Sequence, residues 1–194
     1  VPAAGATSIN GLTDGYAVGG STGLGTNSLA ADSGAYHYNT AVGFRSGRRV
    51  TTGPGNEFFG NESGTYTTTG GYNTLLGSYT SYRATTASNN VAIGRSSLEN
   101  NVTGGSNTAV GYAALQGVLN NSHGFNTAIG RDAGKAITTG SYNFFGGYQA
   151  GDKVTTGNYN IAIGYNSIGT SAGATGSNNI AIGKDAGEDI TSAS

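Results

Sequence analysis

Two histidines and a few aspartates are the side chains in this chain that could support acid–base or metal chemistry. His37 and His123 stand in no pattern of spaced carboxylates or hydroxyls of the kind that a catalytic triad or a metal site requires. We therefore predict that both are solvent-exposed loop histidines. Several aspartates fall at turn positions, where Asp commonly bonds the local backbone, and we predict a structural role for Asp132, Asp152, Asp185 and Asp189.

One glycine-containing stretch comes close to a phosphate-binding loop. In Gly130-Arg131-Asp132-Ala133-Gly134-Lys135-Ala136 the two glycines are one residue too close, and no Ser or Thr follows the lysine. The chain also contains no cysteine. The sequence therefore predicts no enzymatic activity, no cofactor and no metal site.

A recurring five-residue phrase accounts for these glycines instead. Its clearest copy is Asn90-Val91-Ala92-Ile93-Gly94, and its asparagine returns in steps of 17 or 19 residues. A step this regular is typical of stacked structural units. The copies begin at Asn39, Asn56, Asn73, Asn90, Asn107, Asn126, Asn143, Asn160 and Asn179.

The composition favours β-structure for these units. The chain has 36 glycines, and each glycine inside a helix would cost about 1 kcal/mol relative to alanine. Most units close on a Thr-rich piece such as Thr67-Thr68-Thr69-Gly70, which favours a strand. We predict an all-β fold, a parallel β-roll or β-solenoid of about nine coils, each built as strand, turn, strand, turn. Residues 1–38 are predicted to form an irregular lead-in and cap with a tight turn at Asn10-Gly11, and residues 39–194 the repeat domain.

The asparagines and the apolar residues that follow them are predicted to form ladders along the rod. Asparagine tolerates left-handed backbone geometry, and stacked Asn side chains can bond each other from coil to coil. Two apolar residues follow in most copies, and neighbouring strand residues point to opposite faces, so one row can fill the interior while the other needs cover. The third position after the asparagine includes Ile93, Val110, Ile129, Ile163 and Ile182.

A continuous apolar strip of this length is typical of an interface. Another copy of the same chain is its simplest cover, so we predict a homo-oligomer. In Asn143-Phe144-Phe145-Gly146-Gly147 the large residues stand before the third position after the asparagine, where a glycine is found instead. This departure predicts a local register shift or bulge.

Aromatic and cationic residues gather at the fifth position after the asparagine. Side chains of these types suit the stacking and hydrogen bonding of sugars, and equally the packing between subunits. The candidates for surface recognition are Tyr112, Arg131, Tyr148 and Tyr165. The two longer units place extra residues near 117–124 and 169–176, which are predicted to project as loops on one face.

Charge and hydropathy exclude two classes of partner. The net charge is −1 and nine Lys and Arg are scattered, so no basic stripe for nucleic acid exists. No apolar run approaches the roughly 18 residues that span a bilayer, so we predict no membrane insertion. The chain has neither an initiator Met nor a signal peptide, which predicts a processed chain or a fragment.

The phrase resembles repeats of known fibrous proteins. Asn90-Val91-Ala92-Ile93-Gly94-Arg95-Ser96-Ser97 and Asn179-Ile180-Ala181-Ile182-Gly183-Lys184-Asp185-Ala186 are similar to the head repeats of trimeric autotransporter adhesins, and more similar to the longer repeats of bacteriophage tail fibres. The resemblance covers roughly residues 39–186 and implies a left-handed parallel β-roll wound into a homotrimer at the tip or shaft of an attachment fibre.

From this resemblance we expect a structural or attachment module of a phage tail fibre or spike, located in the virion. Its partners would be two further copies of itself and a host cell-surface glycan or protein. Two alternatives remain at this point: a bacterial adhesin head on the cell surface, and an ice-binding β-solenoid that uses the threonine array. An enzyme such as a polysaccharide-cleaving β-helix would need carboxylates clustered across adjacent coils.

Overall fold

The computed structural model describes residues 15–33, 36–169, 174–188 and 190. The predicted turn at Asn10-Gly11 and the aspartate Asp189 lie outside these residues. Within the described part the regular structure is entirely β and contains no helix. The strands are β1 (Gly15–Val18), β2 (Ser21–Leu24), β3 (Thr40–Val42), β4 (Glu57–Phe59), β5 (Thr74–Leu76), β6 (Val91–Ile93), β7 (Thr108–Val110), β8 (Thr127–Ile129), β9 (Phe144–Gly146), β10 (Ile161–Ile163) and β11 (Ile180–Ile182).

These strands form one sheet in chain order, which confirms the predicted parallel β-solenoid. Each strand from β2 to β11 pairs in parallel with the next, one coil further along the rod. Equivalent positions of the repeat lie opposite each other, as Ala92 does with Ala109. The 17- and 19-residue steps therefore return the backbone to the same place in every coil.

The stacked ladder starts inside the stretch predicted as a lead-in. Strand β2 pairs with β3 in the register of the repeat, with Thr22 opposite Thr40. Ser21 takes the place of the asparagine, and its Oγ accepts a hydrogen bond of 3.1 Å from the Asn39 amide. Strand β1 turns back through Gly19-Gly20, where both φ angles are positive, and pairs antiparallel with β2. This hairpin covers the first edge of the sheet.

The interior is filled by the second residue after each asparagine. In β3–β11 these side chains are buried: Ala41, Phe58, Leu75, Ala92, Ala109, Ala128, Phe145, Ala162 and Ala181. The first and third residues point outward, as the period of two requires. A column of small residues seven positions after the asparagine is also buried, and it includes Ser46, Ser63, Thr80, Ser97, Ala114, Ala133, Ala150 and Ser167.

The predicted register shift at Phe144 is wrong. Phe145 lies opposite Ala128 on one side and Ala162 on the other, in the register of every other coil. The sheet needs no bulge there because Phe145 points inward and Gly146 takes the outward place that Ile, Val, Leu or Phe holds elsewhere.

Glycines clear the space that the two interior phenylalanines occupy. A Cβ on Gly134 would lie 2.6 Å from the Phe145 ring, and one on Gly151 would also overlap that ring. Gly47 and Gly64 flank Phe58 in the same way. Each of these four glycines lies eight residues after the ladder asparagine of its own coil.

In three of the coils where an alanine fills the strand position, a large buried side chain fills this eighth position. Leu98 accompanies Ala92, Leu115 accompanies Ala109, and Ile168 accompanies Ala162. The interior is therefore packed by compensation between two positions, as close packing requires.

The asparagine column forms the predicted ladder from coil to coil. Each Oδ1 accepts the backbone N–H of the next asparagine at 2.9–3.0 Å, from Asn39 to Asn179. Each Nδ2 donates to the previous Oδ1 at 2.9–3.4 Å. In most coils the same Nδ2 also reaches the carbonyl fourteen residues on, as Asn143 does with Gly157 at 2.9 Å. One side chain thus joins neighbouring coils and ties the two halves of its own coil.

Two local predictions fail. The asparagines do not hold left-handed backbone; the residue before them does, as at Tyr72 (φ 59°) and Asn89 (φ 60°). The Thr-rich half of the coil is not a strand in the described residues. There, the amides of Thr51, Thr52 and Gly53 converge on the single carbonyl of Thr68, so the evenly spaced ladder bonds of a parallel pair do not form.

Candidate functional site: the outer strand face

The outward rows of β3–β11 form one exposed face, which we call the outer strand face. Its third-position row carries large apolar side chains, with Leu76 exposed to 50%, Ile163 to 38% and Ile182 to 67%. In the last three strands the first-position row is also apolar, with Phe144, Ile161 and Ile180. The predicted residues Ile93, Val110, Ile129, Ile163 and Ile182 all lie on this face, outside the coil interior.

The apolar surface of this face is long and narrow. Nine strands stacked at about 4.8 Å give it a length of about 40 Å. The first-position row is mostly polar before β9, so the apolar surface consists of the third-position row, interrupted at Gly146, together with Phe144, Ile161 and Ile180. An exposed apolar row of this length is typical of an interaction surface.

The predicted recognition residues line one border of this face and contact each other. Arg131 lies between the rings of Tyr112 and Tyr148, with 5.6 Å from its Cζ to each ring centroid. Tyr148 stacks on Tyr165 at 5.4 Å with an interplanar angle of 11°. The row is completed by Arg95 over Tyr112 at 5.8 Å and Lys184 over Tyr165 at 5.9 Å. We call this row, Arg95, Tyr112, Arg131, Tyr148, Tyr165 and Lys184, the cation–π border.

The stacking leaves ring edges rather than ring faces to solvent. A sugar ring stacks on an aromatic face, and in the cation–π border the faces of Tyr112, Tyr148 and Tyr165 already contact a neighbouring ring or cation. The border is therefore better arranged to stiffen the corner of the coil than to stack sugars.

A second aromatic row, on the other border, escaped the sequence analysis. Phe125, Tyr142 and Tyr159 stack in parallel, with centroids 4.9 and 5.0 Å apart and interplanar angles of 6°. Each stands directly before an asparagine of the ladder, as Tyr38 and Tyr72 also do. Aligning that column would have shown the recurrence. The outer strand face is thus bordered on both sides by exposed aromatic residues.

The prediction that both histidines are solvent-exposed is wrong. His37 is buried, and its Nδ1 lies 2.7 Å from Asp32 Oδ1. His123 is exposed to only 1%, and its Nε2 has no hydrogen-bond partner among the described residues. Burial lowers the pKa of His123 to about 4, against a weaker opposing effect of a hydrogen bond with the backbone of Leu115. His123 is therefore neutral in the folded chain above about pH 4.

This buried histidine predicts a loss of stability in acid. The unfolded chain binds a proton near pH 6.5 while the folded chain does so only near 4, so the contribution is complete above pH 6.5 and is lost as the pH falls toward 4. The difference corresponds to about 3 kcal/mol in the free energy of unfolding. We expect denaturant unfolding at pH 7 and pH 4.5 to show this loss, and the loss to shrink in His123→Gln.

The comparison with His123→Gln isolates the histidine from other titrating groups. Burial raises the pKa of Asp152, so the folded chain binds this proton more tightly than the unfolded chain does. Asp152 therefore adds stability as the pH falls, which is opposite to the effect of His123. An equal pH dependence of the native chain and the variant would show that His123 is solvated in solution.

The described aspartates form ion pairs with neighbouring cations. Asp132 pairs with Arg131 at 3.2 Å and Lys135 at 3.0 Å, and Asp152 with Lys153 at 2.9 Å. Asp185 lies 3.6 Å from Lys184. Asp132 and Asp152 lie on adjacent coils. Burial is the largest cause that raises the pKa of Asp152, and the negative charge of Asp132 raises that pKa further. The structure thus brings two carboxylates together that the sequence analysis treated separately.

The threonine hydroxyls on the other half of the coil are largely engaged. Oγ1 of Thr51, Thr68 and Thr138 donates to the carbonyl of the next coil at 3.0–3.2 Å. These hydroxyls are not free to order a lattice of water. One exposed Thr per coil remains beside them, at Thr52, Thr69, Thr86, Thr103, Thr139 and Thr156.

Of the two predicted loops, the first is described. Val118, Leu119 and Asn120 are exposed, after which the chain turns inward at Asn121. Residues 170–173 of the second lie outside the described part. In the described ranges, three or more His, Asp or Glu residues nowhere cluster as metal ligands would. The same ranges hold no helix with the length and apolar character to cross a bilayer.

Comparisons with family models, curated proteins and solved structures returned no match for this chain. The geometry of the coils and of the outer strand face therefore carries the functional argument.

Proposed function

We propose that this chain is a non-enzymatic, rod-forming module of an attachment fibre, in which three copies pack along their outer strand faces. The fibre we infer is a phage tail fibre or spike in the virion, extending toward and attaching to a host cell surface. The observation that carries the proposal is the exposed apolar face along β3–β11, bordered by two aromatic rows. The number of copies and the phage setting are supported by the resemblance of the repeat to tail-fibre repeats.

The interior of the coil supports a mechanical role. The asparagine ladder repeats the same hydrogen bonds in every coil, and the backbone bonds between coils run along the rod axis. A load along the rod axis is shared by several such bonds at each contact between neighbouring coils. A stack of this kind resists bending and local opening because neighbouring coils hold each other.

The proposal predicts a molar mass of about 58 kDa in solution, for three chains of 19.3 kDa. Ile163 lies near the middle of the apolar end of the outer strand face and is 38% exposed. Ile163→Asp would place a charge against the neighbouring subunits, at a cost of several kcal/mol, because a buried unpaired charge is strongly disfavoured. We expect light scattering after size-exclusion chromatography to show dissociation toward single chains.

Thr69→Asp is the matched control, since Thr69 is exposed on the other half of the coil. Its mass is expected to stay that of the native assembly. A native chain that runs as a folded monomer of 19.3 kDa would refute the proposed packing.

A further inference from the structure

Gly117 and Val118, in the inserted loop of the 107–125 coil, line a surface cavity of about 350 Å³. Its lining comes from three successive coils, with Gln116 and Val118 on the first, Lys135 on the second, and Gln149 and Asp152 on the third. Most of the lining positions lie nine or ten residues after the asparagine, six or seven residues beyond the end of the strand. Gln149 directly follows Tyr148 of the cation–π border, and the rest of the cavity would stay open to solvent when the outer strand faces pack together.

The lining offers two side-chain amides with unused hydrogen-bonding groups. The side-chain amide of Gln149 is partly exposed and makes no hydrogen bond within the described part of the chain. Gln116 donates its Nε2 to Glu99 at 2.8 Å, which leaves its Oε1 as an acceptor. Asp152 also lines the cavity, but its Oδ2 bonds Lys153 and its Oδ1 is buried out of reach of a ligand.

The charges around the cavity are balanced. Lys153 pairs with Asp152 at 2.9 Å, and Lys135 pairs with Asp132 at 3.0 Å. A free anion would meet the carboxylate of Asp152, and a free cation would meet two ammonium groups. The site therefore fits a neutral ligand rich in hydrogen-bonding groups.

Apolar groups complete the lining. Val118 and Ala136 both line the cavity, beside the amides and the carboxylate. A pyranose combines hydroxyls around its rim with C–H surfaces on its faces, and a volume of this size lies within the range of small-ligand sites, about 300–1,000 Å³. We propose that this cavity binds a neutral saccharide unit, with its hydroxyls bonded to Gln149 and Gln116 and its C–H surface against Val118.

This inference rests on the proposed attachment role, because it supplies the surface through which the rod contacts a host glycan. The test uses the full chain and saturation-transfer difference NMR with methyl glucopyranoside, methyl galactopyranoside, N-acetylglucosamine and glucuronate as probes. At least one neutral probe is expected to bind with millimolar affinity, and more tightly than glucuronate. Failure of every neutral probe, or binding of glucuronate alone, would overturn the proposal.

Variants place the binding in the cavity. Ala136→Tyr fills it, and the fold tolerates tyrosine there because Tyr66 holds the same position of an earlier coil, where its amide donates to Tyr82 as that of Ala136 does to Asp152. We expect a loss of affinity of about tenfold or more in Ala136→Tyr and in Gln149→Ala. Arg83→Tyr places a tyrosine at the same position of a coil outside the cavity and should bind as the native chain does.

Equal loss in Arg83→Tyr, or retained binding in Ala136→Tyr with an unchanged circular dichroism spectrum, would refute the assignment to this cavity. The molar mass of the same samples separates the two proposals. A monomer that binds the saccharide would remove the packing proposed above and leave the cavity site standing.

Discussion

Replacing Gly111 with alanine is expected to destabilise the solenoid by about 3–5 kcal/mol, from left-handed backbone strain and overlap with the next coil. Gly111 has a φ of 134°, a conformation that side chains rarely adopt. A Cβ on it would lie 2.5 Å from the carbonyl oxygen of Gly130, the equivalent residue one coil further. The backbone cannot retreat, because Gly111 N donates to Ile93 O at 2.8 Å on its other side. Chemical denaturation followed by circular dichroism at a fixed protein concentration measures the loss.

Gly146→Ala is the matched control for this substitution. Gly146 lies in β9 at an outward position that Ile or Val holds in other coils, and its φ is not left-handed. Its new Cβ would meet the edge of the Phe144 ring at 3.2 Å on the outer strand face. We expect a change within about 1 kcal/mol, because other coils hold larger side chains at this position. Similar losses for the two variants would show that the glycine column is not a packing requirement.

Replacing Asn143 with alanine is expected to cost about 4 kcal/mol, because it leaves buried polar groups without partners. Asn143 Oδ1 accepts from the backbone amide of Asn160 at 2.9 Å and from its Nδ2 at 3.1 Å. Asn143 Nδ2 donates to Asn126 Oδ1 at 3.0 Å and to Gly157 O at 2.9 Å. Alanine removes all four bonds in the middle of the ladder. Amide hydrogen exchange at Asn160 should accelerate together with the loss of global stability.

Two further variants test whether the hydrogen bonds carry the effect. Asn61→Ala removes an asparagine whose side chain makes no hydrogen bond in the described structure, and it should change stability by less than about 0.5 kcal/mol. Asn143→Asp keeps the acceptor for Asn160 but sets a second oxygen against Asn126 Oδ1 and Gly157 O. That variant should gain stability relative to the native chain as the pH falls, because a protonated carboxyl can donate to one of them.

The repeat step predicted the architecture correctly because it depends on one physical condition, that equivalent residues return to equivalent places. The asparagine ladder followed from the same condition, since a polar residue repeated at every coil must satisfy its hydrogen bonds along the stack. The parallel pairing of β2–β11 needed no further information.

The failed predictions depend on packing between positions that are distant in the repeat. Phe144 and Phe145 are equally large; Phe145 points inward because the register of the neighbouring coils continues through β9 and Gly134 and Gly151 leave room for its ring. The Thr-rich half follows β propensity in isolation, yet its backbone bonds converge on one carbonyl per coil. Strand propensity alone does not fix such a detail.

The environment of the candidate sites was also beyond sequence reasoning. His123 is buried because the insertion after Gly117 turns back into the coil at Asn121. The composition of an insertion does not determine the path of its backbone. The saccharide cavity arises from the same insertion. The outer strand face could be anticipated as one of two apolar rows, but which row fills the interior required the observed burial.

The pairing of interior phenylalanines with glycines on the neighbouring coil limits how such a rod can change its length. Removal of residues 126–142, one full repeat, would bring Leu115 to the place of Gly134, where even a single added carbon already meets the ring of Phe145. Removal of residues 90–106 would bring together coils whose interiors hold Leu75 and Ala109, with no ring to displace. Insertions and deletions of whole repeats are therefore compatible with the fold only at particular junctions between coils, and a lineage that lengthens or shortens this rod should keep the coil of each phenylalanine together with the coil that precedes it.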